Sequence, residues 1–144
     1  MNLTDLVKSV TAASGFTQAA SVEVLSVEPG LVALRMPRKP DLLQFNGFFH
    51  GGAVTGLADH AAGAAATTAL PPGRIAVTAN LQVNFLKPAD GSSITATARA
   101  ISVGSTLSVV SVEVTTEREA SSVVCAIATV TLRSVDAAPM KSVP

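Results

Sequence analysis

The sequence predicts an α+β fold in which one curved antiparallel sheet wraps around a single long buried helix. Three observations predict it: the order of helical and strand-like segments along the 144 residues, the short turns between the last four strand segments, and one charge-poor helical segment. Short turns favour antiparallel pairing, and an apolar helix needs cover on most sides, which a curved sheet supplies. A chain of this length is expected to form one domain, residues 1–144.

The N-terminal part predicts a short helix followed by a hairpin. Apolar residues recur at helical spacing within residues 3–13, which places an amphipathic helix in the segment 1–16. Residues 20–28 and 31–36 are rich in β-branched side chains and are separated by a Pro-Gly pair, which is typical of two strands joined by a turn.

The middle of the chain predicts the buried helix. Residues 42–73 contain one charged side chain, Asp59, although twenty charges in 144 residues would place about four in a segment of this length. Residues 53–70 are rich in Ala and contain no Pro. Such a helix is apolar almost all round, and we expect it to be buried on most sides.

Four further strands are predicted at residues 77–85, 93–103, 106–117 and 122–133. Apolar and polar residues alternate without exception in the first of them, which is the period of a strand. The alternation slips near Ile101 and again near Val109-Val110, which predicts bulges in a strongly curved sheet. The tail from Ser134 to Pro144 is expected to be frayed.

The composition excludes several classes of protein. Charged residues make up 14% of the chain and cancel to a net charge of zero, and aromatic residues make up 3%, so no basic or stacking surface for nucleic acid is expected. The chain has one cysteine, Cys125, so no internal disulfide is expected. Its two histidines and this cysteine lie far apart in the chain, which argues against a metal site. We expect no signal peptide and no membrane helix, and therefore a cytoplasmic protein. Near-zero net charge also promotes association, so part of the apolar surface is expected to lie against a second copy.

The chemically informative residues lie in the loop before the helix and within it. The loop runs Gln44-Phe45-Asn46-Gly47-Phe48-Phe49-His50-Gly51-Gly52. The first amides of a helix have no partner within it and carry the positive end of its dipole, so Gly51 could offer its N–H to a developing oxyanion, unless the pair is only a tight turn. Asp59 is a carboxylate in an otherwise apolar helix, which is costly unless it serves a site or is well paired.

Other catalytic arrangements fit less well. His50 and His60 could suggest a serine triad with Asp59, but no nucleophile elbow is present, and adjacent helical side chains diverge. His60 is expected to be a packed or boundary residue, and His50 either a donor at the site or a clamp on the loop. Cys125 lies among apolar strand residues and is expected to be inert.

These residues resemble the hotdog-fold acyl-CoA thioesterases, in particular the 4-hydroxybenzoyl-CoA thioesterase and phenylacetate-degradation branches. The resemblance spans residues 20–133, and its signature is the His50-Gly51-Gly52 motif followed nine positions after the histidine by Asp59. It implies an enzyme that hydrolyses an acyl-CoA, with CoA as part of the substrate and no cofactor or metal. It also implies a homodimer with sites at the dimer interface, or a homotetramer built from two such dimers.

The resemblance implies a role for each matching residue. Asp59 would attack the thioester carbonyl or activate a water, and the Gly51 amide would polarise the carbonyl oxygen. Gln44 would orient the nucleophile or the water, and Thr78 falls where one branch holds the water with a hydroxyl from the opposite subunit. The remaining expected site residues are His50 at the loop and, as substrate-binding residues, Gly52, Asn46, Phe48 and Lys87.

The chain departs from its relatives at two positions. Gly63 stands where relatives with a glutamate acid carry a hydroxyl residue, which favours the Thr78 arrangement. Ser105 stands where many relatives have an Arg or Lys for a phosphate of CoA, which leaves Lys87 or Arg118 for that contact. Two alternatives stay open: a hotdog hydratase or dehydratase, and a non-catalytic acyl-binding module. Asp59 favours hydrolysis over both, and both donor and carboxylate are expected to come from one helix.

Overall fold

The computed structural model describes residues 2–138, and the predicted α+β architecture is confirmed there. The helices are α1 (Leu3–Ala12), α2 (Phe16–Ala19) and α3 (Gly51–Thr68), with a 3-10 turn at Pro40–Leu42. The strands are β1 (Glu23–Glu28), β2 (Leu31–Pro37), β3 (Arg74–Phe85), β4 (Ser93–Val103), β5 (Leu107–Glu117) and β6 (Ser122–Asp136). All six strands form one antiparallel sheet in the order β1-β2-β4-β5-β6-β3, so β1 and β3 are its edges.

Helix α3 packs against the inner face of this sheet and contacts all six strands. Its buried face consists mostly of Ala side chains, together with Val54 and Leu57: Ala53, Val54, Leu57, Ala58, Ala61, Ala62, Ala65 and Ala66. The prediction of a buried helix is confirmed, although the opposite side of α3, with Thr55, Asp59, Gly63 and Thr67, is only half-buried in the single chain. Among the helices within residues 2–138, none is long and apolar enough to cross a membrane.

The N-terminal segment partly covers this open side. Helix α1 forms as predicted, with the Asn2 side chain accepting a hydrogen bond from the Asp5 amide. The sequence does not predict α2, which has four residues and places Phe16 against Gly56 of α3. A Cβ on Gly56 would lie 2.6 Å from the Phe16 ring, so a glycine is needed there for the two elements to meet.

The sheet is bent by bulges, one of which the sequence predicts. Ile101 is an extra residue between Ala100 and Ser102, which pair with Val110 and Val109. The predicted slip at Val109-Val110 is wrong: burial alternates regularly through β5, and these residues are the partners that face the Ile101 bulge.

A second bulge lies in β3, where the sequence shows unbroken alternation. Ala79 is the extra residue, because Thr78 pairs with Leu132 whereas Asn80 pairs with Thr131. The bulge reverses the face to which the following residues point.

The C-terminal prediction requires correction. Ser134–Asp136 is not frayed but extends β6, since these residues pair with the first three residues of β3. An ion pair of 2.5 Å between Arg74 and Asp136 closes this end. The rest of the predicted tail, residues 139–144, lies outside the described residues.

Candidate active site

Asp59 and Thr78 meet between α3 and β3. Thr78 Oγ1 donates a hydrogen bond of 2.6 Å to Asp59 Oδ1. Within residues 2–138 this is the only hydrogen bond to the carboxylate, and no Lys, Arg or His forms an ion pair with it. The half-buried acid is therefore held by one neutral donor, and Oδ2 is left free to act on a substrate or a water.

The bulge at Ala79 brings Thr78 to the helix. Beyond the bulge, Leu81 and Val83 pack against the core on the inner face, and before it Ala76 does the same. Without the extra residue, strict alternation would place Thr78 on the outer face with Gln82 and Asn84. Bulges often redirect a side chain next to a site, and this one turns Thr78 toward Asp59.

The structure and the resemblance differ on the origin of this hydroxyl. The resemblance implies a hydroxyl from the opposite subunit. Thr78 instead contacts Asp59 of its own chain.

A cavity of about 510 Å³ adjoins the pair. Its walls come from four parts of the chain: α1, the half-buried side of α3 from Asp59 onward, the start of β3, and Ala137 and Ala138 after β6. Most of the lining is apolar, and it includes Leu6 and Val10 of α1 and Ile75 of β3. Such a space, with a few polar groups at one side, is typical of a small-molecule site.

The N-terminus of α3 presents a free amide. His50 is the N-cap, and its Nδ1 accepts a hydrogen bond of 2.8 Å from the Gly52 N–H. The Ala53 and Val54 amides bind the His50 carbonyl. The Gly51 N–H, in contrast, makes no hydrogen bond to any residue in 2–138. His50 is therefore a clamp on the helix start, and Gly51 has the unpaired donor that an oxyanion contact requires.

The Phe85 ring lies close to Gly51. A Cβ on Gly51 would come within 3.3 Å of Phe85 Cζ, so glycine permits the close approach. Phe85 is 57% exposed in the single chain, which is unusual for a ring of this size.

The loop before α3 is a tight turn held by its own backbone. The Gln44 amide donates to the Phe48 carbonyl at 2.8 Å, the Asn46 side chain accepts from the Phe48 amide at 3.2 Å, and Gly47 has a φ of +82°. Asn46 and Phe48 line a second cavity of about 500 Å³, together with Arg118. These two residues are therefore not in the cavity that contains Asp59.

Gly51 and Asp59 of one chain are too far apart to act on the same carbonyl group. Eight residues of helix separate them, which is about 12 Å along the axis. When one group donates a hydrogen bond to a carbonyl oxygen and a second group attacks the carbonyl carbon, the two groups lie only roughly 7 Å apart. In a single copy of the chain, the helix therefore holds both groups but does not bring them to one carbonyl.

His60 connects α3 to α1. Its Nε2 lies 3.0 Å from Thr11 Oγ1, and burial lowers the pKa of His60 below 6.5, with a smaller opposing effect from Asp59. The prediction that His60 is a packed boundary residue agrees with this position, although it also lines the large cavity.

Three other residues, Cys125, Lys87 and Arg118, have simpler environments. Cys125 is buried, and burial raises the pKa of its thiol to about 11, so it is protonated and unreactive at neutral pH. Lys87 is exposed and follows Phe85 by two residues, whereas Arg118 is paired with Asp90 at 2.9 Å.

Within residues 2–138, no three His, Cys, Asp or Glu side chains converge as a metal site would require.

Comparison with known proteins identifies the family. The pattern of the thioesterase superfamily matches residues 46–123, a segment that includes His50, Gly51, Asp59 and Thr78. This chain belongs to the thioesterase superfamily. Its structural neighbours have the hotdog fold, and the crystal structure of a thioesterase family protein from Silicibacter pomeroyi covers 94% of this chain and 100% of its own, with a TM-score of 0.90 and 28% identity.

Two further relatives carry informative names. A protein of Listeria monocytogenes named 1,4-dihydroxy-2-naphthoyl-CoA hydrolase is 30% identical over 105 residues, which are 73% of this chain and 85% of the relative. A Streptococcus mutans protein solved with bound acetyl CoA is 28% identical, with a TM-score of 0.71 over 80% of this chain and 89% of its own. The present chain is thus a thioesterase, an enzyme that hydrolyses thioesters.

Sequence reasoning missed part of this thioesterase site. It placed the apolar residues of α1 in a generic amphipathic helix, but Leu6 and Val10 line the cavity beside Asp59. It also did not single out Phe85 as a neighbour of Gly51. Val10 and Phe85 are large apolar residues that stay exposed in the single chain. Their exposure could have pointed to the site, but it can be seen only in the folded structure.

Proposed function

We propose that this thioesterase hydrolyses an acyl-CoA with an aromatic or medium-chain acyl group to the free acid and CoA. The Asp59–Thr78 pair beside an apolar cavity carries the proposal, because a carboxylate and an apolar acyl pocket are what this reaction needs. The named substrate of the Listeria relative and the acetyl CoA bound to the Streptococcus protein support the class of thioester.

The reaction proceeds by one of two routes from the same arrangement. In the first, Asp59 Oδ2 attacks the thioester carbon, the CoA thiolate leaves, and water hydrolyses the resulting anhydride. In the second, Oδ2 takes a proton from a water that attacks the same carbon. A single turnover in ¹⁸O-labelled water distinguishes them. Label found in the Asp59 carboxylate indicates the first route, with water attacking the anhydride at the Asp59 carbon, whereas the second route places label in the acid alone.

The donor and the acid come from two copies of the chain. Since one helix holds Gly51 and Asp59 about 12 Å apart, the Gly51 N–H that polarises a carbonyl beside Asp59 belongs to a second copy. The edge strand β3 supports this arrangement: it has 12 residues, pairs with no strand other than β6 within residues 2–138, and exposes Val77 and Phe85. A long unpaired edge is a template for pairing with another chain.

We therefore propose a homodimer joined through β3, with two shared sites. Light scattering across a range of concentrations measures its mass and separates a dimer from a tetramer made of two dimers. A stable monomer that retains activity would overturn the shared site.

The remaining site residues support this chemistry. His50 caps α3 and so holds the helix start that offers the Gly51 amide. Gly52 donates the hydrogen bond that completes this cap, and half-buried Gln44 lies in the loop where it can orient the water or nucleophile. Lys87 is the better residue for a phosphate of CoA, because the charge of Arg118 is already paired with Asp90.

An assay for free thiol over a panel of acyl-CoA substrates tests the proposal. Asp59→Asn keeps the size and a hydrogen-bonding group but removes the carboxylate, so hydrolysis is expected to fall by about 100-fold or more. Glu113→Gln is the matched control, because it removes one exposed carboxylate from a position on β5 that lies outside the large cavity.

Equal thiol release by wild type and Asp59→Asn on every substrate would contradict the role of Asp59. Hydration of an enoyl-CoA without thiol release would instead indicate a hydratase. Binding of acyl-CoA without any turnover would indicate an acyl-binding module.

A further inference from the structure

We propose that Gly63 sets the size and type of the acyl group that this enzyme accepts, by leaving the space beside Asp59 into which a bulky, uncharged acyl group fits. The inference rests on the proposed acyl-CoA hydrolysis and names the substrate class of the same site. It is carried by the position of Gly63, the walls of the cavity, and their charge.

Gly63 lies one turn after Asp59 and on the same side of α3. Residues four positions apart in a helix are neighbours on its surface, and both residues line the cavity of about 510 Å³. A side chain at position 63 would therefore project into the cavity next to the carboxylate.

Packing within the chain does not explain this glycine. A Cβ built on Gly63 meets no atom of the described residues within 4 Å. The glycine two turns earlier differs, because a Cβ on Gly56 would collide with Phe16. A glycine inside a helix is less favourable than an alanine, and the glycine at position 63 leaves open space beside Asp59.

The walls around Gly63 suit an apolar group of considerable size. Leu6 and Val10 of α1, Ala64 of α3 and Ile75 of β3 line the cavity. A cavity of roughly 150 Å³ is enough for a benzene ring. The volume here therefore accommodates two fused rings or a medium-length chain in addition to the thioester.

The charge of the lining disfavours acyl groups that carry a carboxylate of their own. The described lining contains one acid, Asp59, and no Lys or Arg, and burial lowers the pKa of its one histidine, His60, which disfavours the charged form. A carboxylate at the far end of the acyl group would be buried without a cationic partner and would be repelled by Asp59, which is costly. Neutral acyl groups are thus expected to react and dicarboxylic monothioesters are not.

A substrate panel with a graded series of variants tests the proposal. Wild type, Gly63→Ala and Gly63→Val are assayed with naphthoyl-, phenylacetyl-, hexanoyl-, acetyl- and succinyl-CoA, each for kcat and KM. The ratio of kcat/KM for naphthoyl-CoA to that for acetyl-CoA is expected to fall by roughly 10-fold or more in Gly63→Val, mainly through KM, and by less in Gly63→Ala. Succinyl-CoA is expected to be the poorest substrate of wild type.

Two controls separate the pocket from the fold. Gly63→Ala is expected to raise the melting temperature, because alanine favours the helix, so a lower ratio in this variant is not due to unfolding. Ala12→Val enlarges an exposed residue of α1 that does not line the cavity, and its substrate ratio is expected to match wild type.

The outcomes distinguish this inference from the proposed function. If wild type hydrolyses no acyl-CoA, the proposed function fails. If wild type is active and Gly63→Val leaves the naphthoyl-to-acetyl ratio unchanged, or lowers all substrates equally, the assignment of Gly63 is overturned while the proposed function stands. Efficient hydrolysis of succinyl-CoA would overturn the assignment of a neutral acyl group.

Discussion

Thr78 Oγ1 lies 2.6 Å from Asp59 Oδ1, and the hydrogen bond joins a bulged edge strand to the half-buried side of the central helix. The contact orients a carboxylate that has no cationic partner among residues 2–138. The position of the acid thus depends on an extra residue, Ala79, in a strand whose apolar and polar residues alternate regularly in the sequence.

Loss of the Thr78 hydroxyl is expected to lower kcat more than it changes KM. Thr78→Val keeps the shape but removes the donor, so Asp59 loses the group that orients it, and kcat is expected to fall by about 10-fold. Thr78→Ser keeps the hydroxyl and is expected to retain most of the activity. Steady-state kinetics of both variants check this, and equal rates for Val and Ser would show that the hydrogen bond has no role in catalysis.

The Gly51 amide can be removed without removing a hydrogen bond of the fold. Position 51 is the first residue of α3, where proline is well accepted. The preceding residue, His50, already has the extended conformation that a following proline requires, with φ −62° and ψ 141°. Gly51→Pro is therefore expected to fold, yet to lose about 100-fold or more in kcat if the amide polarises the carbonyl.

Gly51→Ala is the matched control for that variant. It adds the same Cβ, which must displace the Phe85 ring slightly, but it keeps the N–H. Circular dichroism and thiol release measure fold and activity in parallel. Equal activity of the Ala and Pro variants would remove Gly51 from the reaction.

Two inactive variants are expected to complement each other if the site is shared between copies. When Asp59→Asn and Gly51→Pro chains are mixed, unfolded and refolded together, half of the dimers are mixed, and each mixed dimer contains one intact site. Activity is therefore expected to recover to about a quarter of wild type. If donor and acid came from the same copy, no site would be intact and the mixture would stay inactive.

The stability of the protein is expected to fall in mild acid because of His60. Burial lowers the pKa of this side chain below 6.5, so the folded state binds fewer protons than the unfolded state as the pH drops. The contribution is present above pH 6.5 and is lost as the pH falls toward the lowered pKa. His60→Gln keeps a polar group for Thr11 but does not titrate.

Urea unfolding of wild type and His60→Gln at pH 7.5 and 5.5 checks this prediction. The free energy of unfolding of wild type is expected to decrease relative to that of the variant at the lower pH. A difference between the two proteins that does not change with pH would contradict the role of His60 burial.

Much of the fold could be predicted because local patterns and global burial agree. Strand β4 was expected at 93–103 and lies at Ser93–Val103, and α3 lies within two residues of its expected bounds. Its start differs because His50 caps the helix and draws Gly51 and Gly52 into the first turn. Segment order and short turns were enough to indicate one antiparallel sheet.

Part of the site could also be predicted from the sequence. A lone carboxylate is costly in an apolar helix, so Asp59 stood out against the charge-poor segment around it. The His-Gly-Gly motif marked the helix start for a similar local reason, since glycines and an N-cap belong where the first amides are free.

Only the tertiary structure decided how these groups are arranged. The bulge at Ala79 arises from pairing with β6, so alternation along β3 alone could not show that Thr78 faces Asp59. The cavity exists because α1, α3 and β3 meet without filling the space beside Gly63.

The separation of Gly51 and Asp59, about 12 Å along the axis, follows from the helix that connects them. By itself the sequence determined the elements and the chemical groups, because propensity and the cost of burying charge act locally. The facing of Thr78 and the open side of α3 depend on contacts between residues distant in the chain, so only the tertiary structure decided them.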